Sequence, residues 1–164
     1  GDKNSMIYHI QKRNIEARIV HRLDRETAGL LFIAYDKKNA GEFSKIWNTG
    51  DVTKTYQAIA KGVMEEEEGS IDLFIDDKDA LTTYKVKDIR DRQTHLELEI
   101  KTGRFHQIRR HLKMLGYPVM GDPKYGKGNK NREGLMLREI GLKFKDPINQ
   151  REYTFEVKEE DKLF

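Results

Sequence analysis

His21-Arg22-Leu23-Asp24-Arg25-Glu26-Thr27-Ala28-Gly29-Leu30 is the stretch on which the reading of this chain turns. It sets charged and hydrogen-bonding side chains between two apolar runs, Ile19-Val20 before it and Leu30-Leu31-Phe32-Ile33-Ala34 after it. That pattern reads as a polar loop between two extended segments. Ile19-Val20 ends the first, and the continuously apolar Leu30 to Ala34 suits a strand buried on both faces. A second dense stretch, Gly103-Arg104-Phe105-His106-Gln107-Ile108-Arg109-Arg110-His111, lies far along the chain. The two are expected to meet, with the carboxylate of Asp24 facing the guanidinium of Arg109.

Working outward from the loop, residues 1–18 are polar, and Met6, Ile7 and Ile10 can seed a short helix. On the other side, Asp36 can accept from free amides as an N-cap. Ala40, Phe43 and Trp47 then follow at helical spacing, and Gly50 supplies a stop. Val52 to Ala60 alternate and are rich in Thr and Tyr, as a strand should be. Met64 to Gly69 read as an exposed acidic turn, Ile71 to Ile75 as a short strand, and Asp76 to Ala80 as a polar connection.

Thr82 to Ile89 and Thr94 to Lys101 read as a hairpin closed by Asp91-Arg92-Gln93. Thr102-Gly103 leads into a helix with Ile108, Leu112 and Leu115 as its buried stripe. His106, Arg110 and Lys113 fall on the opposite face, and Arg109 on the margin. Gly116 and Pro118 end that helix. Residues 121–134 form a Gly- and Lys-rich loop, and Leu135 to Phe144 and Tyr153 to Val157 are the final strands.

The chain has 164 residues, enough for one domain with a real core. Its net charge is only +3, from 31 basic and 28 acidic residues. That balance hides an acidic run, Glu65 to Glu68, and a stretch over 104–113 with Arg104, Arg109, Arg110 and Lys113 and no acid. A local basic surface suits a polyanion partner, although a solvated helix face has the same composition. There is no cysteine, which excludes disulfides and Cys-based zinc sites. No apolar run approaches the ~20 residues of a membrane span, and no signal-peptide pattern opens the chain. A cytoplasmic, monomeric protein is the expectation.

Among candidates for chemistry, His106 and His111 are five apart and do not share a helix face, so zinc spacing is absent. Gly121-Asp122-Pro123-Lys124-Tyr125-Gly126-Lys127 matches the start of a phosphate-binding loop. Gly128 stands where Ser or Thr should, and Pro123 removes an amide. The loop is instead either a flexible basic connection or one that offers Lys124 and Lys127 to an RNA backbone. No cofactor and no metal are expected. Asp24 has two readings, an Asx-type turn with Thr27 or a reactive carboxylate kept ionised by an arginine. Tyr56 is either a core residue with a satisfied hydroxyl or a surface on which a base stacks.

Four motifs in order resemble those of the RluA-type RNA pseudouridine synthases. His21-Arg22-Leu23-Asp24-x-x-Thr27-Ala28-Gly29-Leu30 is similar to their signature loop. Lys54-Thr55-Tyr56-Gln57-Ala58 is similar to their Lys-x-Tyr-x-Ala strand. Thr102-Gly103-Arg104-Phe105-His106-Gln107-Ile108-Arg109 and Gly121-Asp122-x-x-Tyr125-Gly126 resemble the remaining two. Ala28 stands where Ser is usual, and Phe105 where Thr or Ser is common. The stretch around Arg138 does not match the family's Leu-His-Ala segment.

The resemblance implies an α+β pseudouridine synthase core, with a largely antiparallel bent sheet, flanking helices and a central cleft. It implies catalytic roles for Asp24, Tyr56 and Arg109, the tyrosine stacking on the target base and helping to move its C5 proton. It implies RNA contacts by Arg22, to which the basic residues Arg104, Arg110, Lys113, Lys124 and Lys127 add candidate phosphate contacts. The reaction implied is isomerisation of a uridine in rRNA or tRNA, in which the base is extruded. Whether Asp24 attacks C1′, attacks C6 or assists a glycal route is not set by residue type. A non-catalytic RNA-binding or chaperone module on the same fold is the alternative. Ile108-Arg109-Arg110-His111 with Tyr125-Gly126-Lys127-Gly128-x-x-Asn131-Arg132 resembles the tRNA pseudouridine synthase C branch. The family's Lys-Pro-x-Gly segment before the signature loop is unmatched, so residues 1–164 are expected to form one catalytic domain without that part.

Overall fold

A computed structural model describes residues 5–129 and 131–164. Helix α1 spans Met6–Gln11, and the short strands β1, β2 and β3 span Arg18–Ile19, Ala28–Gly29 and Ile33–Ala34. Helix α2 is Lys37–Thr49. Strands β4 (Val52–Lys61), β5 (Glu68–Asp72), β6 (Leu81–Arg90) and β7 (Gln93–Ile100) follow. Helix α3 is Gln107–Met114, and β8 (Leu137–Lys145) and β9 (Glu152–Glu156) complete the described elements with a 3-10 turn at Glu159–Asp161. Among the described residues no helix is long and apolar enough to cross a membrane.

The main sheet runs β2-β8-β4-β7-β6-β5, with β9 also on β8. All its pairs are antiparallel except β2 with β8, which is parallel. The β6–β7 hairpin forms as expected, but its loop has two residues rather than three: Arg90 pairs Gln93, and Asp91 and Arg92 have φ of 50° and 58°. Two positive φ values match the twist of the flanking strands, which is why such a turn closes without glycine here.

Helix α2 starts where the sequence indicates. The Asp36 side chain accepts from the Asn39 amide at 2.7 Å, and Gly50 ends the helix at φ 84°. Its Phe43, with Phe32 and Trp47, packs on Val52, Leu142 and Phe144. A larger cluster lies further along the same face of β4 and β8. There Ile108 and Leu112 of α3 meet Ala58, Leu96, Leu98 and Val119. Complete burial of Leu112 contributes about 1.5–3 kcal/mol.

Several expectations are corrected. Leu30 to Ala34 is not one doubly buried strand. Only Ile33–Ala34 pair, with β1, and Leu30 and Phe32 are half-buried against the α2 cluster. The fifth strand begins at Glu68 and ends at Asp72, because its Glu68 to Asp72 backbone pairs with β6. Met64 lies buried inside the acidic turn, its amide donating to Thr94 Oγ1 at 3.0 Å. Leu115 is not part of the stripe of α3, since it sits at the C-cap and is exposed.

One irregularity positions the site. Thr55 pairs Gly141, yet Tyr56 pairs Glu139, so Ile140 is the extra residue of a bulge between β4 and β8. Without it the register would set Ile140 opposite Tyr56. A bulge re-aims side chains by one residue, and here it brings a carboxylate beside a phenol.

Candidate active site

A cleft of about 560 Å³ opens between the 21–27 loop, β4 and the turn into α3. Asp24, Tyr56 and Arg109 all line it, as do Arg22, Arg104, Lys54 and His106. The two stretches singled out in the sequence therefore do meet.

The 21–27 loop is held by backbone contacts. The Thr27 amide donates to the Asp24 carbonyl at 2.9 Å, so the turn is a backbone turn and not the Asx-type turn with Thr27. The Asp24 carboxylate, 26% exposed, is left facing the cleft, with His106 Nε2 at 3.9 Å. The loop then closes on the sheet through Ala28–Gly29 against Arg138–Glu139. A side chain at Gly29 would lie 2.5 Å from the Glu139 carbonyl oxygen, at a φ of 146°. Only glycine allows that approach.

The 102–111 segment is anchored by buried polar groups. Gln107 Oε1 accepts from Thr102 Oγ1 and the Arg104 amide, and its Nε2 donates to the Leu81 carbonyl and Thr82 Oγ1. His111 Nε2 donates to the Leu73 carbonyl at 2.9 Å, and its Nδ1 meets Thr82 Oγ1 at the same distance. Burial holds the His111 pKa below its ordinary value, in keeping with a neutral ring. Residues 107–109, 111 and 112 are thus buried, and Arg109 is buried, not marginal.

Arg109 does not pair with Asp24 in the structure. Its Nε and Nη2 donate to the two carboxylate oxygens of Asp122 at 2.8 and 2.9 Å, and Nη1 lies 3.5 Å from Glu26. Asp122 also accepts from the Lys124 and Tyr125 amides at 2.8 and 2.9 Å. The Gly121-Asp122-x-x-Tyr125-Gly126 segment, which looks like a failed phosphate loop in sequence, is the turn that seats this carboxylate. Burial opposes ionisation of the pair, but hydrogen bonds and mutual charge outweigh it. The Asp122 pKa is therefore lowered and that of Arg109 raised. Arg109 still feels Asp24 through space.

His106 is not on an exposed face. It is the N-cap of α3 with a left-handed backbone, φ 54°, and its side chain is 11% exposed. Its Nδ1 lies 3.0 Å from the Tyr125 hydroxyl, and the exposed ring of Phe105 stacks on it with centroids 3.7 Å apart. A non-glycine residue in that conformation is strained, and burial lowers the ring's pKa.

Tyr56 donates its hydroxyl to Glu139 Oε2 at 2.9 Å. Glu139 is completely buried, and its other oxygen has no hydrogen bond. Burial pushes the Glu139 carboxyl up to about 7, opposed by the Tyr56 hydrogen bond and the charge of Lys54. Lys54 is itself buried, which lowers its pKa, and the Tyr56 hydroxyl is raised by burial and by Glu139. His21 stacks on Trp47 and accepts from the Phe32 amide at 3.0 Å. Burial holds its pKa near 4.

The six candidate RNA contacts divide. Arg22, Lys113, Lys124 and Lys127 are exposed. Lys124 Nζ lies over the rings of Phe105 and Tyr125. Arg104 donates to the Asp79 carbonyl, and Arg110 is already held by both oxygens of Asp76 at 2.8 and 2.9 Å. Lys130, within the basic loop, lies outside the described residues. Sequence reasoning missed Asp122, Glu139 and Lys54 as members of the site. Asp122 carried a signal, being one of the quoted motif residues, whereas Glu139 is one charged residue among several in β8, beside Arg138, Lys143 and Lys145, and carried none.

Comparison with known proteins adds four findings. The family described as RNA pseudouridylate synthase matches residues 4–114. The ribosomal large subunit pseudouridine synthase D of Borreliella burgdorferi is 33% identical over 163 residues, covering 85% of this chain and 50% of that one. The tRNA pseudouridine synthase C of Vibrio vulnificus is 31% identical over 180 residues, covering 88% and 73%. The solved structure of human RNA Pseudouridylate Synthase Domain Containing 1 superposes with a TM-score of 0.81 at 26% identity, over 94% of this chain and 74% of that one. The architecture is therefore the pseudouridine synthase fold, α+β with a mostly antiparallel sheet. The chain spans about half the length of several curated relatives that it matches.

Proposed function

The chain belongs to the RNA pseudouridylate synthase family, and on that premise we propose that it isomerises specific uridines of ribosomal or transfer RNA, with Asp24 as the essential carboxylate. The observation that carries the reading is the convergence of Asp24, Tyr56 and Arg109 on one partly closed cleft from three separate segments. The reaction breaks the N1–C1′ bond, turns the uracil and rejoins it through C5. Asp24 supplies the carboxylate that holds the sugar or the base while the bond is exchanged. The extruded base stacks on Tyr56.

Arg109 acts as a buried positive post. It is fixed by Asp122 and presents its charge to Asp24 through space rather than by contact. Arg22, Lys113, Lys124 and Lys127 meet phosphates, so affinity falls as salt rises. Relatives named for ribosomal and for transfer RNA match at similar identity, 33% and 31%. The resemblance to the tRNA pseudouridine synthase C branch is thus one of two target assignments.

The deciding experiment treats total RNA from cells lacking the gene with the protein and with Asp24→Asn. Pseudouridines are then mapped by carbodiimide-dependent reverse-transcription stops. A new stop made by the first protein and absent with the variant is expected, and it would name the RNA. RNA retention by both proteins with no new stop would favour a non-catalytic RNA-binding module.

A further inference from the structure

Glu139 has no role in the reading above, and packing does not account for it. It is completely buried, one oxygen has no hydrogen bond, and on its face of β8 it is flanked by Leu137 and Leu142. An apolar residue of that size would fill the same space without the desolvation cost of a carboxyl. The bulge between β4 and β8 nevertheless turns this residue, and not Ile140, toward Tyr56. The phenol it receives a hydrogen bond from lines the same cleft as Asp24.

We propose that Glu139 is a positioning residue that accepts the Tyr56 hydroxyl proton while Tyr56 takes the C5 proton of the turned uracil. The proposal rests on the isomerase reading. In the step, the C5–H bond breaks and its proton joins Tyr56 Oη. The proton of Tyr56 passes to Glu139 Oε2. The C5–H electron pair becomes the C5=C6 double bond, and the C6=N1 pair moves onto N1, which takes a proton from water. The hydroxide left behind recovers the proton from Glu139 through Tyr56, so charge and atoms balance.

A phenol by itself is a poor base near neutral pH, because it must first lose its own proton. A carboxylate 2.9 Å from its oxygen removes that requirement. The groups facing Glu139 are Tyr56 and Lys54 from β4 and the Gly29 backbone from β2, with Asp24 beyond Tyr56. Lys54 favours the ionised carboxylate, and burial opposes it. Burial thus pushes the acceptor's pKa up to about 7. The cleft histidines titrate lower, His21 at about 4 and His106 below its ordinary value.

The test uses total RNA from cells lacking the gene, labelled by growth on 5-tritiated uridine, with protein in excess. Tritium release reports C5 proton loss directly. Wild type, Glu139→Gln, Tyr56→Phe and the double variant are compared across pH. Release by the wild type should rise with pH through about 7. Glu139→Gln should be about 100-fold slower and should lose that rise, while RNA retention on filters is unchanged. The double variant should be no slower than the slower single variant, since both residues serve one proton path.

A Glu139→Gln protein that releases tritium within about twofold of wild type and keeps the rise would overturn this proposal alone. No release by the wild type would overturn the isomerase reading and the proposal with it. If Glu139→Gln fails to fold by circular dichroism, Glu139→Asp decides. Withdrawing the carboxyl by one methylene should slow release without weakening RNA retention, and an unchanged rate would count against the relay.

Discussion

The Arg109–Asp122 pair behind one wall of the cleft and the Lys54–Tyr56–Glu139 group behind the other are both buried, but they are unequally satisfied. Asp122 accepts two bonds from the guanidinium and two from backbone amides. Its charge is matched at contact distance, and its pKa falls despite burial. Glu139 accepts one bond, from a neutral phenol, and its second oxygen accepts none. Its pKa climbs to about 7 because burial dominates. Two solvent-shielded carboxyls with different partners, the less satisfied one also the more deeply desolvated, give a fixed ion in one place and a titrating group in the other. The first is suited to holding the frame, and the second to exchanging a proton.

The sharpest way to break that contrast is to remove the satisfied partner. Asp122→Ala leaves the buried Arg109 guanidinium with only Glu26, at 3.5 Å, and an expected loss of about 3–5 kcal/mol in urea denaturation. Disturbing the other group should do the opposite. The folded carboxyl of Glu139 titrates at about 7 against an ordinary 4.5, so the folded chain binds the extra proton between those values. Stability from this group is present at low pH and is lost as pH rises through 7. Glu139→Gln is therefore expected to be about 3 kcal/mol more stable than wild type at pH 8. It should be indistinguishable at pH 4, as read from paired denaturation curves. A variant less stable at both pH values would show that the carboxylate is as well matched as Asp122.

Gly29 tests the seam between the 21–27 loop and this second group. Gly29→Ala would push a methyl into the Glu139 backbone at a positive φ. The expected loss is about 1–3 kcal/mol, measured as a lowered melting temperature. The smallest effects belong to the surface. Lys113→Ala should lower the salt slope of RNA binding by about 0.7–0.9. Arg110→Ala should change it less, because Asp76 already neutralises that guanidinium.

Much of this architecture is legible in local sequence. The Asp36 cap and Gly50 stop bound α2 because a cap and a left-handed exit act within one turn of the chain. The alternation of Leu96, Leu98 and Ile100 marks β7 because a half-buried strand repeats every two residues. The segments carrying Asp24, Tyr56 and Arg109 stand out for their charge and motif content, and they do line one cleft. The site's inner partners do not stand out. Periodicity sets Arg109 at a helix margin and His106 on an open face, yet the Gln107 and His111 anchors roll α3 so that Arg109 is enclosed.

By itself, then, the sequence determined most of the elements, the two stretches that meet and the family whose motifs they carry. The tertiary structure alone decided that Arg109 answers to Asp122 instead of Asp24, and that Glu139 and not Ile140 stands beside Tyr56. The reason is the range over which each cause acts. Caps, turns and alternation are settled among neighbours in the chain. A partner 13 residues away is chosen by how the 121–126 turn folds back on α3, and one 83 residues away by strand register, where a slip of one residue exchanges an isoleucine for a carboxylate.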